Sequence, residues 1–240
     1  MQEIFQIIEE LRDGFADYKD LEYISEIKSG KEAEIHLIQN RERYLAIKHY
    51  KPDLKFASRK EYFTTGEILD SREGRAIKNN SKFGKKTVVS MWAYREFDAL
   101  KKLYWLGADV PEVFSVGQNY LVQEYIFIDG FKPAPQLYSV MLSDEQAQIA
   151  FEQVADNITL FWENGYVHGD LSAYNILWDG EKVVIIDFPQ VVMNHNQESP
   201  TKLFRDIDNV DKYFKKYEID GYSKRIEDLR EMGYVWFGIG

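Results

Sequence analysis

The sequence predicts an α+β fold in two lobes, a β-rich N-terminal lobe followed by a mainly helical C-terminal lobe. Three observations predict it. Short apolar runs at Leu21–Ile27, Ile35–Ile38, Tyr44–Lys48, Val110–Val116 and Tyr120–Tyr125 crowd the first half, with a single helical pattern among them. After Gly130 the pattern turns to longer helical segments. The 240 residues, 45% apolar and 15% aromatic, suffice to bury the core of one domain or of two small lobes.

The elements follow in order. Ile4, Ile7, Ile8, Leu11 and Phe15 recur at helical spacing, so the chain opens on an amphipathic helix. An antiparallel meander comes next, its first turn at Ser29-Gly30-Lys31-Glu32. Pro52–Lys86 lacks periodicity and is rich in Lys, Arg, Ser and Gly, which reads as a long loop. Trp92, Phe97, Leu100, Leu103 and Leu106 mark a helix over Met91–Leu106 that stops near Gly107. Past Gly130, Ser143 and Gln146 stand at capping-box spacing and start a helix that runs to about Asn164. Short strands at Ile176–Trp178 and Val183–Asp187 precede helices at about Pro200–Tyr217 and Tyr222–Met232. The whole reads as a single domain over 1–240. Its N-terminal lobe is 1–125 with a loop at about 52–88, its connecting segment is 126–135, and its C-terminal lobe is 136–240.

Composition narrows the function. The absence of cysteine excludes disulfides and thiolate metal sites. No run of about 18 apolar residues occurs, and the N-terminus has no basic flank before an apolar core, so a soluble, cytoplasmic chain without a membrane segment is expected. The net charge of −10 opposes non-specific nucleic-acid binding by the whole surface. Ser71–Lys86 is the exception, with six basic residues against Glu73. That stretch suits contact with RNA or an acidic partner, and equally a solvated loop.

The chemistry concentrates in Tyr166-Val-His168-Gly169-Asp170-Leu-Ser-Ala-Tyr-Asn175 and in Val183-Val-Ile-Ile-Asp187. Phosphoryl transfer needs a carboxylate to orient the attacking hydroxyl and oxygen ligands for a divalent cation. Asp170, with Asn175 five residues on, has the spacing of a kinase catalytic loop. Asp187 ends an apolar strand twelve residues after Asn175, where a second metal ligand belongs. A lone Asp-x4-Asn would also describe a helix cap and a turn asparagine, but the combination with His168 and Ile-Ile-Asp187 is far more specific. Lys48, in Leu45-Ala46-Ile47-Lys48, is placed like the strand lysine that contacts the α and β phosphates. Glu96 lies mid-helix as a partner for Lys48, with Glu32, Glu34 and Glu67 as competing acids. Ser29, Gly30, Lys31 and Glu32 form a candidate phosphate turn, though neither Gly-x-Gly-x-x-Gly nor the Walker spacing is present. Glu124 and Ile126 flank Tyr125 where a hinge offers main-chain groups to adenine.

These pieces together resemble the RIO family of atypical serine kinases. The resemblance rests on Ser29-Gly30-Lys31-Glu32-Ala33, Ala46-Ile47-Lys48, and Asp129-Gly130 followed by Pro133-Ala134-Pro135. It rests equally on His168-Gly169-Asp170-Leu171-Ser172, Tyr174-Asn175-Ile176-Leu177 and Ile186-Asp187-Phe188-Pro189-Gln190, and it spans roughly Leu21 to Phe214. Pro189 stands where general kinases carry glycine, and no Ala-Pro-Glu follows, as in this family's truncated C-terminal lobe. Subfamily features are mixed: the long loop is similar to the first subfamily, while Asp187-Phe188-Pro189-Gln190 looks like the second, although that subfamily's winged helix is not expected in these 240 residues. The resemblance implies a protein-kinase-like fold and binding of ATP with Mg²⁺ or Mn²⁺. It implies Asp170 as catalytic base, Asn175 and Asp187 as metal ligands, and serine autophosphorylation or slow ATP hydrolysis through Asp187. A protein acceptor, or the chain itself, is the implied substrate, with a role in maturation of the small ribosomal subunit and RNA contact through 71–86. Ser71, Ser81 and Ser90 are candidate autophosphorylation sites.

Two other readings share these residues. A small-molecule phosphotransferase similar to the aminoglycoside or choline enzymes also carries His-Gly-Asp…Asn and Ile-Asp, but the Ser29–Ala33 turn and short C-terminal lobe speak against it. An ATP-gated RNA- or ribosome-binding switch would use nucleotide to order 52–86, with little transfer. His36, His49 and His195 are expected to be surface or structural, and His168 to support the catalytic loop.

Overall fold

The computed structural model describes residues 2–51, 72–79, 81–193 and 198–235. The chain divides into two compact units, Met1–Phe97 with Val113–Tyr125, and Asp98–Glu112 with Ile126–Gly240. The expected α+β arrangement is observed: a sheet dominates the first unit and helices dominate the second.

The first unit opens with α1 (Gln2–Gly14), followed by β1 (Leu21–Ser29), β2 (Ala33–Asn40) and β3 (Arg43–Tyr50). Then come α2 (Arg72–Lys78), α3 (Lys82–Trp105, whose residues from Asp98 on belong to the second unit), β4 (Val113–Val116) and β5 (Tyr120–Glu124). The five strands form one antiparallel sheet in the order β1-β2-β3-β5-β4. Strand alternation gives its faces different partners. Leu45 and Ile47 join Ile4, Ile7, Ile8 and Leu11 of α1 in one buried cluster. Tyr50 packs with Val88, Val89, Trp92 and Ala93 of α3.

The loop expected over 52–88 is shorter than its composition suggests, because 72–78 and 82–88 are helical. The helix expected to begin at Met91 begins at Lys82. Its apolar stripe extends backward through Val88 and Val89, which are buried against Tyr50 and Leu121, so tertiary packing supports turns whose composition is polar. Ser81 Oγ accepts from Gly84 N at 3.0 Å and caps the start. A Cβ on Gly84 would stand 2.2 Å from the Ala76 carbonyl oxygen, so only glycine lets α2 approach α3 there. Residues 52–71 of the expected loop, with Ser71 and Glu67, lie outside the described residues, as does His195. Ser81 and Ser90 both lie at or in α3.

The second unit contains β6 (Phe127–Ile128) and β7 (Lys132–Pro133), then α4 (Asp144–Glu163) and β8 (Tyr166–Val167). It continues with β9 (Ile176–Trp178), β10 (Val183–Ile185), β11 (Val192–Met193), α5 (Ser199–Phe214) and α6 (Tyr222–Val235). Ser143 closes the full capping box with Gln146 at the start of α4. The buried stripe of α4, from Ala147 to Trp162, meets α5 and α6 through Phe151, Phe214 and Tyr222. Asn157, buried on α4, binds Asp109 twice, and the Asp109 carbonyl accepts from Ile185 N at 2.7 Å. Strand β10 is thereby anchored to the helical core through a polar link.

Candidate active site

The candidate residues fall in both units. In the first, β3 delivers Lys48 and α3 delivers Glu96, both buried. Lys48 Nζ lies 2.6 Å and 2.9 Å from the two Glu96 oxygens. Tyr50, two residues along the same face of β3, also donates its hydroxyl to Glu96. Of the competing acids, Glu34 pairs with Lys51 instead, at 3.1 Å. A buried carboxylate facing an ammonium and a hydroxyl is costly to disturb, because removing one member strands the others. Glu96→Ala is therefore expected to destabilise the chain by about 3–5 kcal/mol. The same change should weaken nucleotide binding, and urea unfolding together with nucleotide titration checks both.

The Ser29–Glu32 turn is held by a residue that sequence reasoning passed over. Lys51 Nζ donates to Ser29 Oγ at 3.0 Å and to the Gly30 carbonyl at 2.9 Å, while Lys51 N donates to the Glu32 carbonyl at 2.8 Å. Gly30 N donates to Ala33 O at 2.9 Å, so that N–H is committed inside the turn. The signal for Lys51 was its place just past β3, legible only once the hairpin is formed. At the other end of the sheet Glu124 closes β5, and the Ile126 carbonyl accepts from Ala134 N.

In the second unit Asp170, Asn175 and Asp187 share one hydrogen-bonded framework. The β9–β10 register pairs Ile176 with Ile185, and Ile186 N continues it by donating to the Asn175 carbonyl at 2.9 Å. Asn175 and Asp187 therefore stand at the same end of one hairpin, which explains their separation in sequence. Asn175 Nδ2 donates to the Asp170 carbonyl at 2.9 Å. His168 spans the remaining side, with Nδ1 accepting from Asp170 N at 3.3 Å and Nε2 against the Ile186 carbonyl at 3.1 Å. These partners select the Nε2–H tautomer, and the ring packs at a tilt against Phe188, with centroids 4.5 Å apart. Gln190 Nε2 donates to Asp170 Oδ2 at 3.1 Å. Asp187 adopts φ +72°, a left-handed conformation rare for a residue with a side chain and found at ligand clamps. Gly169 is also left-handed, and a Cβ there would stand 2.6 Å from the Gln190 carbonyl, so the middle residue of His-Gly-Asp has no room for a side chain.

Asp206 on α5 was not foreseen. Its two oxygens accept from Gly169 N at 2.7 Å and Leu171 N at 2.9 Å, and Arg205 donates to the Gly169 carbonyl. Burial pushes the Asp206 carboxyl up to about 7, against the opposing pull of the two N–H donors and Arg205. Its distance of over thirty residues from the loop left no local pattern to read. Asp206→Ala leaves two buried N–H groups without acceptors, at about 1–3 kcal/mol each. The variant should unfold at lower denaturant and lose turnover more than nucleotide affinity. Wild-type turnover would show that the clamp is dispensable.

A separate pocket of about 720 Å³ lies among Phe15, Tyr18, Arg41, Arg43, Leu45 and Phe114 and contains none of these residues.

The antiparallel sheet with its buried Lys48–Glu96 pair, and the loop that ties Asp170 to Asn175 and Asp187, define a protein-kinase-like fold. The comparisons agree. The RIO domain family matches residues 34–228. The serine/threonine-protein kinase RIO1 of Caenorhabditis elegans is 32% identical over 200 residues, covering 83% of this chain and 38% of that protein. The RIO-type kinase Rio2 of Methanocaldococcus jannaschii is 34% identical over 149 residues, covering 62% of this chain and 54% of that protein. The crystal structure of the Rio2 kinase–ADP/Mg²⁺–phosphoaspartate complex from Chaetomium thermophilum shares the fold. It superposes with a TM-score of 0.64 at 21% identity, over 88% of this chain and 62% of that one. The chain belongs to the RIO domain family. It spans between 33% and 54% of the length of the first three curated relatives it matches.

Proposed function

We propose that this chain is a Mg-ATP-dependent serine/threonine protein kinase with slow ATP hydrolysis as a side activity. One observation carries the reading. Asp170, His168, Ile186 and Asn175 close a ring of hydrogen bonds, with Asp187 next to Ile186, which supports reading Asp170 as base and Asn175 and Asp187 as metal ligands of one site. The two sequence relatives named above are serine/threonine-protein kinases, and the Rio2 kinase of the solved structure is in complex with ADP, Mg²⁺ and a phosphoaspartate.

The residues fit a hard divalent cation. Asn175 donates through its nitrogen to the Asp170 carbonyl, so its amide oxygen is the ligand atom, and Asp187 supplies a carboxylate. When bound, Mg²⁺ neutralises charge on the phosphates. The protein's own residues do the rest. Asp170, steadied by Gln190, orients the acceptor hydroxyl and takes its proton. Lys48, held by Glu96, positions the phosphates. The Ser29 hydroxyl and Lys31, with main-chain N–H groups of the turn around Glu32 that Lys51 braces, add phosphate contacts. Main-chain groups at Glu124 and Ile126 receive the base.

The acceptor is a serine of a partner or of the chain itself. Among the described residues no helix is long and apolar enough to cross a membrane. Contact with ribosomal RNA falls to the basic residues of α2 and early α3, including the exposed Arg75, Lys82 and Lys86, and a salt titration of RNA binding tests that part. The reading as a whole is tested with γ-labelled ATP and Mg²⁺. Acid-stable label on serine establishes the kinase, and hydroxylamine-labile label on Asp187 with phosphate release establishes the ATPase. Neither label nor phosphate, despite nucleotide binding, overturns both in favour of the ATP-gated switch.

A further inference from the structure

The face of the sheet that packs against α1 carries polar residues the phosphoryl-transfer reading does not use. His49 follows Lys48 on β3, so alternation turns it to the opposite face. The register places it directly across from Glu34 on β2, and His36 stands two residues further along that same face. Ligand atoms of Glu34, His36 and His49 all lie within 4.8 Å of one another.

Of the two places expected for these histidines, surface or structural, burial removes the first. His36 is 1% exposed and His49 is 5% exposed, beside the apolar cluster that α1 makes with the sheet. Neither ring nitrogen of His36 has a hydrogen-bond partner. A buried imidazole with both nitrogens unsatisfied is unusual and needs a physical reason. A neighbouring carboxylate points to one, since His36 Nε2 lies 3.6 Å from Glu34 Oε2. That same oxygen lies 3.9 Å from His49 Nδ1. The other oxygen of Glu34 is taken by Lys51 at 3.1 Å, so the carboxylate is turned with one oxygen toward both imidazoles.

We propose that Glu34, His36 and His49 bind one divalent transition-metal ion of the zinc class, on the opposite face of the sheet from Lys48. Two imidazoles and a carboxylate are a donor set that zinc accepts, with a fourth position left for water. Bonds of about 2.0–2.2 Å set tetrahedral ligand atoms about 3.3 Å apart, so the Glu34 contacts at 3.6 Å and 3.9 Å close by about 0.3–0.6 Å, and any spacing up to the 4.8 Å spread of the cluster closes by as much as about 1.5 Å through side-chain rotation. An outer shell is already placed. His49 Nε2 lies 3.5 Å from Glu3 Oε2 of α1, and a ligating histidine commonly donates its second N–H to such an oxygen; Asn119, whose amide lies 3.0 Å from the same nitrogen, would turn its oxygen toward it when the ion is bound. Glu34 is partly exposed and gives the ion a route from solvent. The bound ion would tie β2 and β3 together and, through Glu3, hold the first turn of α1 to them.

The test uses the full chain stripped with a chelator, then titrated with Zn²⁺ against a chromophoric competitor and, separately, with Co²⁺ by visible absorption. The expected result is one Zn²⁺ per chain, a tetrahedral Co²⁺ band, and a rise in Tm on zinc addition. His49→Gln and Glu34→Gln should each weaken zinc by about tenfold or more and abolish the Tm response. His36→Phe keeps an aromatic ring in the buried position and should fold while losing the ion. Asp187→Ala should keep the zinc, which separates this site from the phosphoryl-transfer residues. Absence of stoichiometric zinc, or equal affinity in the folded variants, overturns the proposal. Loss of zinc in Asp187→Ala alone would place the ion elsewhere and overturn it too.

Discussion

Asp170→Ala is expected to lower phosphoryl transfer by about 10²–10⁴-fold, the range a positioned general base supplies, while nucleotide binding persists. The variant should fold, because the bonds that shape the loop are made by main chain. Asp170 N still reaches His168 Nδ1, the Asp170 carbonyl still accepts from Asn175, and Asp206 still holds Gly169 N and Leu171 N. The contact from Gln190 to the Asp170 carboxylate is lost, and that contact steadies a side chain no longer present. Single-turnover transfer and equilibrium nucleotide titration separate the two effects. Transfer at the wild-type rate would remove Asp170 from the chemistry and leave positioning by Lys48 and the metal ligands to account for it.

Asp187→Ala is expected to abolish the Mg²⁺ dependence of nucleotide binding and, with it, turnover. A carboxylate is the strongest oxygen donor in the candidate metal set, and an amide oxygen alone from Asn175 does not hold Mg²⁺. Backbone geometry complicates this variant, since position 187 sits at φ +72°. Alanine pays about 1–2 kcal/mol in that region, whereas asparagine visits it more readily. Asp187→Asn therefore isolates the charge. It should melt close to wild type yet still lose Mg²⁺-dependent binding and turnover. Calorimetric titration of nucleotide with and without Mg²⁺ reads the difference. Intact metal dependence in the asparagine variant would reassign the ligand.

Much of this site was legible as spacing. His168, Asp170, Asn175 and Asp187 lie on one loop and one hairpin, so their relation is local and survives in the order of residues. The meander around Lys48 and the Ser143 cap of α4 were readable for the same reason, because strand alternation and capping boxes are short-range patterns. Glu96 is the partner that the sequence names for Lys48, but spacing alone does not exclude the competing acids Glu32, Glu34 and Glu67. Packing of α3 against Tyr50 brings Glu96 to Lys48 and leaves Glu34 for Lys51.

The sequence by itself determined the α+β class, the candidate catalytic loop, the candidate metal hairpin and the resemblance to the RIO family, each read from short local motifs. Only the tertiary structure decided which glutamate neutralises Lys48, that Asp206 clamps Gly169 and Leu171, that the basic stretch after Arg72 is helical, and that His36 and His49 are buried beside Glu34. Each of those outcomes depends on groups made neighbours by the fold. A buried charge or imidazole takes the partner that packing supplies, and no local period in the sequence records that choice.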